Sequence, residues 1–385
     1  MLDAIVIGVG GMGSAAVYHL ARRGARVLGL EQFDIPHDLG SSHGLTRIIR
    51  LAYWEHPGYV PLLRRAYELW HELETVADDR LLVTTGSIDA GPAHSRMVRG
   101  AVRACRTFDL RHERLSGRAL RRRFSGFHLP ADHVAILQPD GGFLLPERCT
   151  VAHVEAAQAL NARIQARERV IGWTSGRGRV HVRTDRGTYE ARRLVITSGP
   201  WAAKLVVQLD VLLTVERQVM LWTQPTHPER FQPAHFPVFY IQVNEGRFYG
   251  FPIHGIPGFK IGKYHHRKQL VNPDSVDRRV DAEDEAVLRA AIRRYFPDAD
   301  GPTMAMKVCL FTNTRDEHFI IDVLDNSANV AIAAGFSGHG FKFCSVVGEI
   351  LADLTLDGGT THDISLFALS RLAKLNVKRK HRQMV

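Results

Sequence analysis

A chain of 385 residues is too long for one ordinary hydrophobic core, so two domains are expected, in series or interleaved. Its 45% hydrophobic and 23% charged residues exclude a disordered chain. The net charge of +10 raises nucleic acid or a membrane surface as partners, but the arginines are scattered and only Arg121–Arg123 and Lys374 to Arg382 are concentrated, so solvated faces and a basic terminus, with no nucleic-acid partner, are the expectation.

The chain opens on an apolar run, Ala4 to Ile7, that meets a glycine turn at Gly8, Gly10 and Gly13. A helical pattern follows over Met12 to Arg23, and a second apolar run, Val27 to Leu30, ends on Glu31. Strand, turn, helix and strand in this order suit a dinucleotide. One glycine permits the tight turn, one lets the backbone approach a pyrophosphate, and one lets the helix close on the strand. Free N–H groups at the helix start attract the phosphates, and Glu31 stands where a carboxylate accepts hydrogen bonds from an adenosine ribose. The motif alone leaves NAD and FAD both open.

Pro36 to Tyr59 reads as a polar, Gly-rich loop that turns helical near Pro57. Arg47 and Arg50 in it are spaced i, i+3 and share a face if the segment is helical, which allows an anion site, although spacing alone favours a surface arginine pair. Helices are expected over Pro61 to Glu74, Ser95 to Arg106, Ser116 to Phe124 and Pro146 to Ala162, with strands and a turn in Leu81 to Gly91 and short strands in Ala135 to Leu145. Val170 to Ser175, Arg179 to Thr184 and Thr188 to Arg192 read as strands, leading to Arg193–Ala202, an apolar strand closing on Ser-Gly-Pro of the kind that faces a ligand crevice. Val215 to Thr223, Val238 to Gln242, Arg247 to Pro252 and Phe259 to Gly262 suggest a largely antiparallel second sheet.

A helix over about Ala282 to Tyr295 stops at Pro297, and the last section alternates again: strands at Met304 to Thr312, His318 to Val323 and Val330 to Ala334, a turn at Gly335 to Gly340, and a helix at Cys344 to Leu356. That final strand, turn and helix repeat the logic of the opening, so the two ends of the chain are expected to hold opposite ends of one large cofactor. Cys105, Cys149, Cys309 and Cys344 form no CxxC pair, which fits a reducing, cytoplasmic setting. No metal is expected, although His265 and His266 adjoin, and no leader or membrane span is expected, since no apolar run approaches ~18 residues.

Three stretches carry a resemblance. Gly40 to Arg50 (GSSHGLTRIIR), Lys307 to Asp322 (KVCLFTNTRDEHFIID) and Ala333 to Phe343 (AAGFSGHGFKF) resemble the monomeric sarcosine oxidase and N-methyltryptophan oxidase family of flavoproteins, and the likeness runs in order over essentially the whole chain. It implies an α/β fold with a glutathione-reductase-type FAD-binding domain, discontinuous over 1–84, 145–213 and 316–385, and an α+β substrate domain with a mixed sheet over 85–144 and 214–315. It also implies a monomer acting on a small secondary amino acid and O2.

By the family pattern Cys309 matches the cysteine that carries FAD through an 8α-S-cysteinyl bond; read alone, a cysteine in the apolar run Val308 to Phe311 is a buried structural residue. The pattern sets FAD against Gly8, Gly10, Gly11, Met12, Gly13, Glu31, Ser42, Val170, Gly199, Trp201, Gly338, Gly340 and Phe341. Arg50 and Lys342 match the pair that holds the substrate carboxylate, a planar fork and a point charge. Lys260 matches the lysine beside flavin N5 where oxygen is activated, His43 and Arg47 line the flavin's other side, and Tyr249 and His339 lie near the substrate.

Phe311 stands where sarcosine oxidases commonly have a tyrosine, Leu45 replaces a frequent acid, and the register around Lys263–His266 leaves open whether Tyr264 or His265 takes the place of an active-site histidine. The activity implied is oxidation of sarcosine or another N-methyl or cyclic amino acid by O2, giving H2O2 and an imine that water hydrolyses to amine and aldehyde. The alternatives are a related oxidase for N-methyltryptophan, pipecolate, proline, glycine or a D-amino acid and, more remotely, an NAD-dependent dehydrogenase.

Overall fold

The computed structural model describes residues 1–324 and 327–372, so the basic run Lys374 to Arg382 lies outside the described residues. Strands Leu2–Ile7 and Val27–Leu30 pair in parallel, and Leu2–Ile7 pairs in parallel with Thr188–Ile196 on its other edge. The outer edge of Thr188–Ile196 is shared: Arg179–Thr184 lies antiparallel along its first half and Ser327–Ala334 parallel along its second. Val170–Gly176, Arg163–Gln165 and Ile320–Leu324 complete this first sheet.

The central strands are buried on both faces, as parallel strands are when helices cover them. Ala4, Val6, Val195 and Ala331 join one hydrophobic cluster, and Ile5, Ile7, Leu194 and Ile196 join another. Helices Gly11–Arg22 and Cys344–Leu356 cross on the first face so closely that a Cβ on Gly348 would lie 2.6 Å from Ala15 Cβ.

The second sheet runs, in spatial order, Thr303–Asn313, Thr214–Thr223, Phe259–Lys263, Gly246–Phe251, Val238–Val243, Ser87–Pro92, His133–Gln138 and Glu113–Ser116. Val238–Val243 and Ser87–Pro92 are parallel and its other described pairings antiparallel, so the sheet is mixed. Period-two alternation splits its residues. Val219, Leu221, Phe239, Ile241, Phe248, Ile261 and Val308 pack with Leu288 and Ile292 of helix Ala282–Tyr295. Asp89, Tyr240, Tyr249, Lys260, Trp222 and Cys309 alternate with these and so stand on the opposite face. A small antiparallel sheet of Arg47–Ile49, Gly142–Leu144 and Leu82–Thr84 is the third.

Several boundaries differ from expectation. The helix at Tyr59–Ala77 extends both ends of the expected one, and the helix from Pro146 stops at Ala159. Thr188–Ile196 is one continuous strand, broken at Ser198–Gly199 rather than at Arg192. Leu81 to Gly91 supplies strands to two different sheets, Leu82–Thr84 and Ser87–Pro92. Arg47–Ile49 is extended, so the i, i+3 argument for Arg47 and Arg50 fails there, and the two arginines diverge. Strands Glu113–Ser116 and Arg163–Gln165 are too short for periodicity to reveal.

Candidate active site

Between the first two sheets lies a cavity of about 540 Å³ that runs from the opening glycine turn to Lys342. At its first end, Gly8 has φ +87°, and a Cβ there would lie 2.8 Å from Thr197 O and Ser198 Cα. A Cβ on Gly13 would overlap the Gly8 carbonyl, so helix and turn close only with glycine at that position. The helix start at Gly10 has no side-chain cap, and Gly11 N–H donates to Ser42 Oγ at 3.2 Å. Glu31 is buried and accepts from Val9 N (2.9 Å) and Phe33 N (3.1 Å); burial pushes its carboxyl above the usual range despite these donors. Val170, Gly199 and Trp201 line the same end.

Cys309, free and buried, lines the middle. Arg47 Nη2 lies 3.6 Å from its sulfur and donates to Ser41 O at 2.8 Å, while Nη1 donates to Thr46 O at 2.9 Å. Gly338, Gly340 and Phe341 line the cavity from the closing turn, which passes through a single 3-10 turn, Phe341–Phe343, before helix Cys344–Leu356 begins.

The far end is built around Tyr53. Arg50 Cζ lies 4.6 Å and Lys342 Nζ 5.4 Å from its ring centroid, and its hydroxyl is 2.6 Å from His339 Nδ1. Arg50 Nη2 donates to both oxygens of Glu55 (2.9 and 3.0 Å), and Nη1 donates to Ala52 O at 2.6 Å. Burial works against the Arg50 charge, but Asp89 and Glu55 hold its pKa above the ordinary value. Lys342 Nζ donates to His339 O at 2.7 Å, and burial, with Arg50 adding, pushes it down to about 7. Burial likewise pushes His339 down to about 4.

Tyr249 and Phe311 line the cavity, and across the sheet Tyr249 stands opposite both Tyr240 and Gly262. Tyr264 lines it as well and donates to Ser337 O, while His265 turns away to Glu216 and Glu317 and His266 to Asp284. Of the two residues, Tyr264 lines the cavity and His265 does not.

Three expected residues do not line it. Gly13 is packed on the turn. His43 is buried beside a second, shallower hollow, with neither ring nitrogen hydrogen-bonded among the described residues; burial, with Arg47 adding, holds its pKa well below the usual value. Lys260 lies beneath Phe251 and Trp222, with Nζ 4.4 and 5.1 Å from their ring centroids, and donates to Gly44 O, Thr46 O and Thr46 Oγ1 at 2.6, 3.0 and 2.9 Å. Burial, with Arg47 adding, keeps its pKa well below an ordinary lysine's.

Tyr53, Glu55 and Tyr240 escaped sequence reasoning. The only signal for the first two was the aromatic density of LAYWEH after Arg50, and Tyr240 had none.

The cavity fits FAD: the glycine cradle at its first end admits no side chain, and two buried hydroxyls lining it, Ser198 Oγ and Thr312 Oγ1, have no partner among the described residues. A dinucleotide turn and a second, charged chamber joined by one cavity define a nucleotide-dependent oxidoreductase, and residues 3–354 match the FAD dependent oxidoreductase family (DAO). The chain is 43% identical over 374 residues to a monomeric sarcosine oxidase of Bacillus sp. (strain NS-129), covering 96% of each. It is 34% identical to an N-methyl-L-tryptophan oxidase of Yersinia pestis (strain Pestoides F), covering 96% of this chain and 99% of that one. Among solved structures it is similar to NikD, an amino acid oxidase of nikkomycin biosynthesis, at TM-score 0.82 and 27% identity over 95% of this chain and 97% of that one. The chain belongs to the monomeric sarcosine oxidase and N-methyltryptophan oxidase family and is an FAD flavoprotein, which removes the NAD-dependent alternative. No described helix is long and apolar enough to cross a membrane.

Proposed function

We propose that this enzyme oxidises a small secondary amino acid, sarcosine or a close N-methyl or cyclic relative, with O2 as acceptor. The observation that carries the reading is the pair Arg50 and Lys342, two buried basic side chains flanking Tyr53 at the end of a cavity whose other end is the dinucleotide turn. Arg50 and Lys342 bind the substrate carboxylate, and the aromatic walls Tyr240, Tyr249, Tyr264 and Phe311 exclude water and orient the carbon next to nitrogen. FAD supplies the hydride acceptor and returns the electrons to O2, giving H2O2. The substrate leaves as an imine, which water hydrolyses; sarcosine would yield glycine and formaldehyde.

The domain division is part of the same reading: 1–84, 145–213 and 316–385 form the FAD-binding domain and 85–144 and 214–315 the substrate domain, with Cys309 reaching the flavin from the second and Arg50 and Lys342 reaching the substrate from the first. Cys309 holds the flavin covalently, supported by a free thiol that lines the cavity with the Arg47 guanidinium 3.6 Å away. Acid-precipitated wild type should stay yellow and Cys309→Ser should release its colour; colour released from both would remove the covalent link. Peroxide release across sarcosine, N-methyltryptophan, pipecolate, proline, glycine and a D-amino acid tests the substrate, and highest kcat/KM on a primary amine would sink the secondary-amine reading.

A further inference from the structure

Asp89 has no role in the reading above. It sits in the middle of strand Ser87–Pro92 at 1% exposure, and neither carboxylate oxygen has a hydrogen-bond partner among the described residues. Its nearest charge is Arg50, whose Nε lies 3.7 Å from Oδ1. Nη2 of the same guanidinium donates to Glu55, which lines the cavity while Asp89 does not. One guanidinium is therefore bracketed by a carboxylate that faces the cavity and one sealed behind it. Tyr240 stands opposite Asp89 on one neighbouring strand and Ile136 on the other, and Cys105 of helix Arg96–Thr107 and Lys342 are the remaining titratable groups that act on it or feel it.

We propose that Asp89 is a positioning residue for the carboxylate site: an anion that holds Arg50 from behind when the cavity is empty, and a carboxylic acid, protonated from solvent, when a ligand carboxylate is bound. The inference rests on the carboxylate-binding reading of Arg50 and Lys342. A bound ligand brings a third carboxylate to one guanidinium, and like charges sharing a site raise one another's affinity for protons. Glu55 keeps two hydrogen bonds from Arg50 or can turn outward, whereas Asp89 has neither option, so the proton goes there. Burial already pushes Asp89 up to about 7, against the pull of Arg50. Lys342, pushed down to about 7, gains a proton with the same sign when an anion arrives. The proton returns to solvent when the ligand leaves.

The test uses the flavin-loaded enzyme and methoxyacetate, which has the outline of sarcosine without a titratable nitrogen. Binding is followed by flavin absorbance, and proton uptake by calorimetry at pH 8 in two buffers of different ionisation enthalpy. Wild type should take up protons on binding, and Asp89→Asn about one fewer, with a Kd that climbs roughly tenfold less per pH unit above pH 7. Lys342→Gln should still take up about one proton, which assigns that proton to Asp89 and decides the matter if Asp89→Asn does not fold. Unchanged uptake in Asp89→Asn, or none in wild type or in Lys342→Gln, overturns the role of Asp89 alone. Failure of methoxyacetate to bind wild type at any pH overturns the carboxylate site and this inference with it.

Discussion

Lys260 is surrounded in a way that leaves its amine little freedom: three oxygen acceptors hold Nζ on one side and two aromatic rings cover it on the other. Lys260 does not line the cavity and burial keeps its pKa well below an ordinary lysine's, so the oxygen role that the resemblance implies requires its protonated form acting through the cavity wall, where a preorganised charge contributes on the order of 10²-fold. Lys260→Met should therefore slow flavin reoxidation by on the order of 10²-fold while leaving anaerobic reduction by substrate within a few-fold; equal slowing of both steps in stopped-flow traces would exclude the oxygen role. Because its pKa lies well below the ordinary value, the reoxidation rate should fall as pH rises through that lowered value. Gly262 offers a second residue-level prediction: a Cβ there would overlap the Tyr249 hydroxyl, so Gly262→Ala should raise KM several-fold with FAD retained, read by steady-state kinetics beside the absorbance ratio. That Cys309, Arg50 and Lys342 line the cavity was legible in the sequence, because each sits in a motif whose neighbours are distinctive. Tyr240 was not, because it reaches the cavity only through its register opposite Tyr249, and nothing local in VFYIQV records that partner.

At the scale of elements, His265 clips the end of strand Phe259–Lys263 to a second strand and to the turn that follows strand Thr303–Asn313. Its ring lies 2.6 Å from Glu216 on Thr214–Thr223 and 3.0 Å from Glu317, whose backbone carbonyl accepts from His339 Nε2 at 2.8 Å. Burial opposes the charge, but the two carboxylates raise His265 to about 9, while His265 holds Glu317 down to about 2. The raised histidine contributes stability that is complete below about 6.5 and lost as pH rises through about 9. The depressed Glu317 contributes above about 4.5 and loses it as pH falls toward about 2. His265→Gln should cost on the order of 1–2 kcal/mol at pH 6, after allowance for partial exposure, and nearly nothing at pH 10; a thermal-denaturation difference that does not shrink between those pH values would reject the clip. Elements of this length were readable from alternation and caps. Arg163–Gln165 and Glu113–Ser116 were not, since three or four residues carry too little pattern, and Leu81 to Gly91 could be read as strand without revealing that its halves serve different sheets.

For the whole molecule, the glycine turn belongs to the first sheet and Cys309 to the second, so a cofactor lying in the shared cavity touches both. Protein contacts cross the same junction as well: Trp201 Nε1 donates to Asp274 Oδ1 at 2.6 Å, Lys204 pairs with Asp274, Arg278 Nη2 donates to Leu39 O at 2.6 Å, and Lys260 Nζ donates to Gly44 O and Thr46 O. A ligand that binds only the folded chain stabilises it by RT ln(1 + [L]/Kd), about 2.7 kcal/mol at a hundredfold excess over Kd, whereas a tethered ligand is present at an effective concentration that dilution cannot change. If Cys309 tethers the flavin, the Tm of wild type should be indifferent to added FAD. The Tm of Cys309→Ser should rise by several degrees as FAD is raised from sub-saturating to saturating and fall again on dilution, while urea m-values stay alike because the same surface is exposed on unfolding. A wild-type Tm that climbs with FAD would show that the cofactor exchanges freely, and the two sheets would then be joined by packing and by ion pairs such as Lys204–Asp274 rather than through Cys309.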